Sequence, residues 1–164
     1  MYTTKDLITD FAEFNSWVEQ LQEVNEKLFF APIAPGKWST AEIISHITFW
    51  DQYILDEMLP QMKADADINS IDIETMNKRA AVYAKSGVTK QNLLEAQVHG
   101  RKELISALER KQEEDFFATF ILNGEKIDEY SGYPHSMFNY FCAFIWHDHH
   151  HKEQVDNFLA KEQV

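Results

Sequence analysis

Four of the seven histidines fall within five positions, His147-Asp148-His149-His150-His151. Imidazole changes charge near neutral pH, and its free nitrogen is the commonest protein ligand for a transition metal. Such a cluster can bind a metal, move protons or simply form a solvated face, and helical phase separates these readings. At about 100° per residue, with His151 at 0°, His147 lies at roughly −40°, Phe144 at 20°, Tyr140 and Phe158 at −20°, and Met137 and Val155 at 40°. His149, at about 160°, points away, and His150, at about −100°, lies on the flank. A solvated face does not set two imidazoles in the middle of an apolar stripe. Two such rings carry four nitrogens into a dry interior, where each needs a partner. With Cβ atoms roughly 5–6 Å apart, both can reach one ion at about 2.0–2.1 Å. A metal resolves the burial problem directly.

A third ligand has to come from another segment. His46 stands at helical spacing between Ile43 and Trp50, four residues after Glu42. Counted from Ile47 at 0°, it falls at about −100°, beside Trp50 near −60° and Tyr53 near −120°, on the flank that looks toward a neighbouring helix. A lone histidine there is by itself more often structural than a ligand. His99 and His135 have no comparable setting and read as surface or helix-end residues. Asp148, at about 60°, is a candidate outer partner or general base, and a partly exposed Asp bonded to a neighbour fits it equally. Trp50, Tyr53, Tyr140 and Phe144 are candidates to line a pocket above the metal, although such a stripe is more often core packing.

Other chemistries fare worse. Cys142 falls at about 180° on the same wheel, opposite the histidine pair, which speaks against a cysteine nucleophile beside them. No Gly-x-Ser-x-Gly or phosphate-cradling glycine loop occurs, and the paired Glu-x-x-His motifs of a di-iron bundle are absent. His147-Asp148-x-x-His151 has the outline of a zincin motif, but Asn157 stands where the metzincin continuation needs histidine.

The elements that must carry these residues read as helices. Leu7, Phe11, Phe14, Val18, Leu21, Val24 and Leu28 recur in steps of three and four until Pro32 and Pro35 break the pattern. Ser39-Thr40-Ala41-Glu42 is a capping box opening a helix through Ile43, Ile47, Trp50 and Ile54 to about Pro60. A polar segment, Lys63 to Asp72, precedes a short helix with Met76 and Ala80. Thr89 caps a third long helix carrying Leu94, Val98, Ile105 and Leu108. Asn123-Gly124, between Phe120-Ile121-Leu122 and Lys126-Ile127, signals a short hairpin. The last helix is expected from near Pro134, a first-turn residue, to about Ala160. The sum is an all-α, four-helix bundle in a single domain over residues 1–164.

Composition agrees. Twelve Phe, six Tyr and four Trp in 164 residues supply one sizeable core. One cysteine and no apparent secretory signal point to a cytoplasmic protein, and no apolar run approaches a membrane span. With 27 acidic against 15 basic residues, the net charge is −12. Duplex binding needs Lys and Arg to displace counterions. The densest basic pairs, Arg101-Lys102 and Arg110-Lys111, are interrupted by Glu103, Glu109 and Glu113. No nucleic-acid partner is expected.

Two segments are similar to a known family. Trp38-Ser39-Thr40-Ala41-Glu42-Ile43-Ile44-Ser45-His46, with Trp50-Asp51, resembles the Trp-Ser-x-x-Glu-Ile-x-x-His segment of the DinB/YfiT-like superfamily. His147-Asp148-x-His150-His151-x-x-Gln154-Val155 resembles its second signature, in which histidines at i and i+4 bind metal. The resemblance spans Leu7 to Phe158. It implies a four-helix bundle with a divalent metal, zinc or nickel, on His46, His147 and His151, and a homodimer. It also implies a small-molecule substrate, since studied relatives include S-transferases using bacillithiol, mycothiol or glutathione and a maleylpyruvate isomerase. Three neutral ligands leave the ion's charge undiminished and a coordination position open. A metal-dependent thiol S-transferase or detoxification enzyme, with a low-molecular-weight thiol as co-substrate, is the function this supports. The alternative is a non-enzymatic metal- or ligand-binding bundle with a structural or sensing role.

Overall fold

The computed structural model describes residues 1–162. Four long helices carry the architecture: α1 (Thr4–Gln20), α3 (Thr40–Tyr53), α5 (Lys90–Glu109) and α7 (Met137–Glu162). Between them lie the shorter α2 (Glu26–Phe29), α4 (Ile73–Ala84) and α6 (Glu113–Phe117). In the bundle, α1 packs on α5 and α7, and α3 packs on α5 and α7, while α4 covers the outer side of α3. Among the described residues no helix is long and apolar enough to cross a membrane.

Local chemistry starts α3 and α5 where the sequence says it should. Ser39 Oγ accepts the Glu42 amide at 3.1 Å while Glu42 Oε1 accepts the Ser39 amide at 3.3 Å, so two orphan N–H groups are satisfied reciprocally. Thr89 Oγ1 caps α5 through the Asn92 amide at 3.0 Å. The first apolar stretch is not one helix. It passes through a 3-10 turn at Leu21–Glu23, and Asn25 caps α2 through Lys27. Beyond α3 the chain stays wound to Gln61, with wider π turns at Ile54–Met58 and a 3-10 turn at Leu59–Gln61.

Two expectations change in detail. The Asn123-Gly124 turn forms, with both residues at positive φ (52° and 81°) and Leu122 and Glu125 exchanging both backbone hydrogen bonds, as a type I′ turn requires. Its strands, however, do not extend. Instead β2 (Ile121–Leu122) pairs in parallel with β1 (Asp67–Ile68) from the polar segment. Pro134 is not the first turn of α7: it bridges Ile127, and Ser136 caps the helix by accepting the Asn139 amide at 3.1 Å.

The core has two apolar halves. One gathers Leu7, Phe11, Ile54, Met58, Leu104, Leu108, Phe141 and Ile145, and the other Phe14, Val18, Ile43, Ile44, Ile47, Leu93, Leu94 and Val155. Helices α1, α5 and α7 contribute to both, as does α3 together with the wound turns that follow it. Where α3, α5 and α7 pass from one half to the other they carry polar groups: Asp51 on α3, Gln97 and Arg101 on α5, Asp148 on α7. Ser39→Ala, which removes the cap of the helix bearing His46, is expected to cost about 1 kcal/mol in urea unfolding; an unchanged midpoint would contradict the role given to the capping box.

Candidate metal centre

The polar level of the bundle contains the histidines. His46 is supplied by α3, His147 and His151 by consecutive turns of α7, and a ligating atom of each lies within 4.8 Å of the other two. His46 Nε2 and His151 Nε2 are each 3.1 Å from His147 Nε2. His46 and His151 are buried and His147 is half-buried. Trp38, just before the cap of α3, closes one side. Its indole lies 5.0 Å from the ring of His46 and stacks at 6.3 Å on that of His151.

Hydrogen bonding alone does not satisfy this arrangement. A neutral imidazole nitrogen has one proton or one in-plane lone pair, so His147 Nε2 cannot serve both neighbours. A cation accepting all three lone pairs can. Two nitrogens 3.1 Å apart, each about 2.0–2.1 Å from an ion, subtend about 100° there, between octahedral and tetrahedral values. The donor set fits a divalent ion.

The electrostatics favour the same state. Burial, reinforced by the neighbouring His151, holds His46 down to about 4 and His147 down to about 3. Burial lowers His151 as well, against an opposing hydrogen bond with Gln154. All three rings are neutral at pH 7. Gln154 Oε1 accepts the Nδ1 proton of His151 at 2.9 Å, which leaves Nε2 as the free lone pair. His46 Nδ1 and His147 Nδ1 are buried without partners. Asn77 is the polar neighbour of the His46 ring, and its own Oδ1 is also buried and unpaired.

The remaining candidates fall out differently. Phe144 lies edge-on to His147 at 5.8 Å and joins Trp50 and Tyr140 at 6.0 and 5.0 Å, with Tyr53 beyond Trp50 at 5.7 Å. These four aromatics form one connected cluster beside His147, and Tyr53, Tyr140 and Phe144 pack on the first half of the core. Tyr53 also accepts the Ile71 amide at 2.8 Å. Asp148, considered as an outer partner, a general base or a partly exposed Asp bonded to a neighbour, is buried and paired with Arg101, Oδ2 and Oδ1 lying 2.8 and 3.3 Å from its guanidinium. His99 is exposed and pairs with Glu103 at 3.3 Å. His135 lies at a helix end, immediately before the Ser136 cap of α7, but it is buried against Phe120 rather than on the surface. His149 and His150 are exposed, the latter stacked on Trp146 at 5.4 Å. Cys142 faces away from the histidines, into a cavity of about 480 Å³ shared with Phe117, Tyr133 and Phe138.

Sequence reasoning missed Arg101, counting it in a surface basic pair, although it is fully buried. The signal was its spacing: Leu94, Arg101 and Leu108 are seven apart, which places the guanidinium in the apolar stripe of α5.

The fold is a four-helix bundle in which three imidazoles from two helices converge as a set that can hold a metal ion. The chain belongs to the DinB superfamily, whose family model matches residues 7–155. Among solved structures it resembles YfiT from Bacillus subtilis, described as a probable metal-dependent hydrolase with an unusual four-helix bundle topology, at TM-score 0.71 and 13% identity over 98% of this chain and 87% of that one. It also resembles the colibactin self-resistance protein ClbS, solved in complex with a dsDNA, at TM-score 0.67 and 13% identity over 97% and 96% of the two chains. At such identity the likeness shows the fold alone. No curated protein matches the sequence. The ClbS complex corrects the partner expectation: net charge does not exclude nucleic acid for this fold. The physical reason is that phosphate contacts are local, whereas −12 is a sum over the whole chain.

Because the three histidines titrate lower in the folded chain than in the unfolded one, protonation favours unfolding. In the metal-free protein their stabilising effect is complete above about pH 6.5 and is lost as pH falls toward about 4. Asp148, which burial pushes up to about 6 against the pull of Arg101, acts in the opposite sense as pH rises toward 6. Three groups against one set the sign. Urea midpoints of chelator-treated protein are expected to fall between pH 7 and about 4.5, and His46→Gln should flatten that fall; identical slopes would refute the assignment.

Proposed function

We propose that the chain is a metal-dependent enzyme in which His46, His147 and His151 hold a divalent cation, zinc or nickel, and a low-molecular-weight thiol or water is activated for attack on an electrophile. One observation carries the reading: three imidazole nitrogens, two on buried rings and one on a half-buried ring, converge through 3.1 Å contacts that hydrogen bonds cannot all satisfy. When bound, the cation would lower the pKa of the thiol or water and stabilise its anion. No carboxylate or thiolate belongs to the cluster, so nothing in the ligand set offsets the ion's charge.

The protein's own groups do the rest. Gln154 holds the Nδ1 proton of His151 and so presents Nε2. Trp38 covers His46 and His151 and keeps water from that side of the rings. Trp50, Tyr53, Tyr140 and Phe144 offer the electrophile an aromatic cluster beside His147. A thiol nucleophile suits that cluster better than a strongly hydrated one, because less solvation is lost on entry. The reducing compartment where such thiols are abundant is also the one that a lone cysteine suits.

The test is a metal-loaded protein, purified without an affinity column, assayed with bacillithiol, mycothiol or glutathione and a reactive electrophile. Thiol consumption is expected to fall by at least about 100-fold on His147→Ala, more than the loss of an outer partner of a metal ligand produces. A loaded protein that transfers no thiol and hydrolyses no electrophile would leave the non-enzymatic binding reading in its place. Since ClbS is solved with a dsDNA, duplex DNA belongs among the compounds screened. Gln154→Ala is expected to weaken zinc binding by about 10- to 100-fold, measured calorimetrically on stripped protein.

A further inference from the structure

Arg101 is fully buried, and every one of its N–H groups is used. Nε donates to Asp51 Oδ2 at 2.8 Å, and Nη2 to Asp51 Oδ1 at 3.1 Å and Asp148 Oδ1 at 3.3 Å. Nη1 donates to Asp148 Oδ2 at 2.8 Å and to the Phe11 carbonyl at 2.9 Å. The guanidinium carbon lies 3.9 Å from the centre of the Phe11 ring. Gln97 donates to Asp51 Oδ2 at 3.0 Å, and Thr48 to Gln97 at 2.6 Å. One side chain of α5 therefore holds α1, α3 and α7 together.

Two of those helices carry the histidines. Asp148 directly follows His147 and precedes His151 by three residues, so fixing its carboxylate fixes the rotation of α7 that turns both rings inward. Asp51 lies five residues after His46 on α3. A guanidinium gripping both carboxylates at once constrains the separation of α3 and α7 as well as their rotation. A lysine, with three donors and no planar fork, cannot make these five bonds.

We propose that Arg101 is a positioning residue of the metal site, and that its paired grip on Asp51 and Asp148 sets the convergence of His46 with His147 and His151. The inference rests on the metal reading above. A purely stabilising role makes a different prediction, because apolar groups of similar volume often replace a buried ion cluster without loss of stability.

The test uses the full chain and zinc or cobalt(II) alone. Arg101→Lys and the apolar replacement Asp51→Leu/Arg101→Met/Asp148→Leu are compared with wild type by calorimetric titration and by the cobalt(II) absorption spectrum. Helical circular dichroism checks folding at the titration temperature. Both variants are expected to bind about 10- to 100-fold more weakly, as when other outer supports of metal ligands are lost, and to show an altered cobalt spectrum. A folded Lys variant with wild-type affinity and spectrum overturns the inference alone. A wild-type chain that binds neither ion overturns the metal reading and this inference together.

Discussion

The bundle depends on one buried guanidinium. A charge at the centre of a small domain is tolerable only when it is paired and its donors are satisfied. Arg101 meets that condition by drawing an acceptor from each of the three other long helices, two carboxylates and a backbone carbonyl. Burial alone would lower its pKa, and the two aspartates more than reverse this, so the cation stays protonated at every working pH. The apolar halves of the core lie on either side of this level. Apolar contacts are non-directional and tolerate small rotations of a helix, whereas a two-pronged ion pair does not.

The histidines occupy the same level, and that coincidence shapes their chemistry. Arg101 and two aspartates together carry one net negative charge when all are ionised, beside three rings that burial keeps neutral. A divalent ion there would meet neutral ligands, because both carboxylates are engaged by Arg101. The aromatic cluster from Phe144 to Tyr53 and the indole of Trp38 supply the low-polarity surroundings in which such charges act strongly. Gln154 on His151 shows how a single outer hydrogen bond selects the tautomer that frees a ligand atom.

Much of the site was legible because it is periodic. The phase of α7 placed His147 and His151 among Met137, Phe144 and Val155, and the structure brings those two rings together facing α3. His46 was less legible. Its wheel position gave only a flank, and whether a flank meets a neighbour depends on how two helices cross. The burial of His135 and the partner of Asp148 were illegible for a related reason. His135 lies in irregular chain, where no period reports burial, and it packs on Phe120 through the folding of the 119–136 loop. Asp148 finds its partner forty-seven residues away on another helix.

By itself the sequence determined the four long helices, the caps at Ser39 and Thr89, the turn at Asn123-Gly124 and the inward pair on α7, because each follows from interactions within a few residues: 3.6-residue periodicity, a side chain reaching its own backbone, a φ that only certain residues adopt. Tertiary structure alone decided that β2 pairs with Asp67–Ile68 rather than within its own hairpin, that Arg101 is a core residue, and that His46 meets the pair on α7. Those outcomes depend on groups far apart in the chain, whose encounter is set by packing four helices at once and by the need to pair every charge that the packing buries.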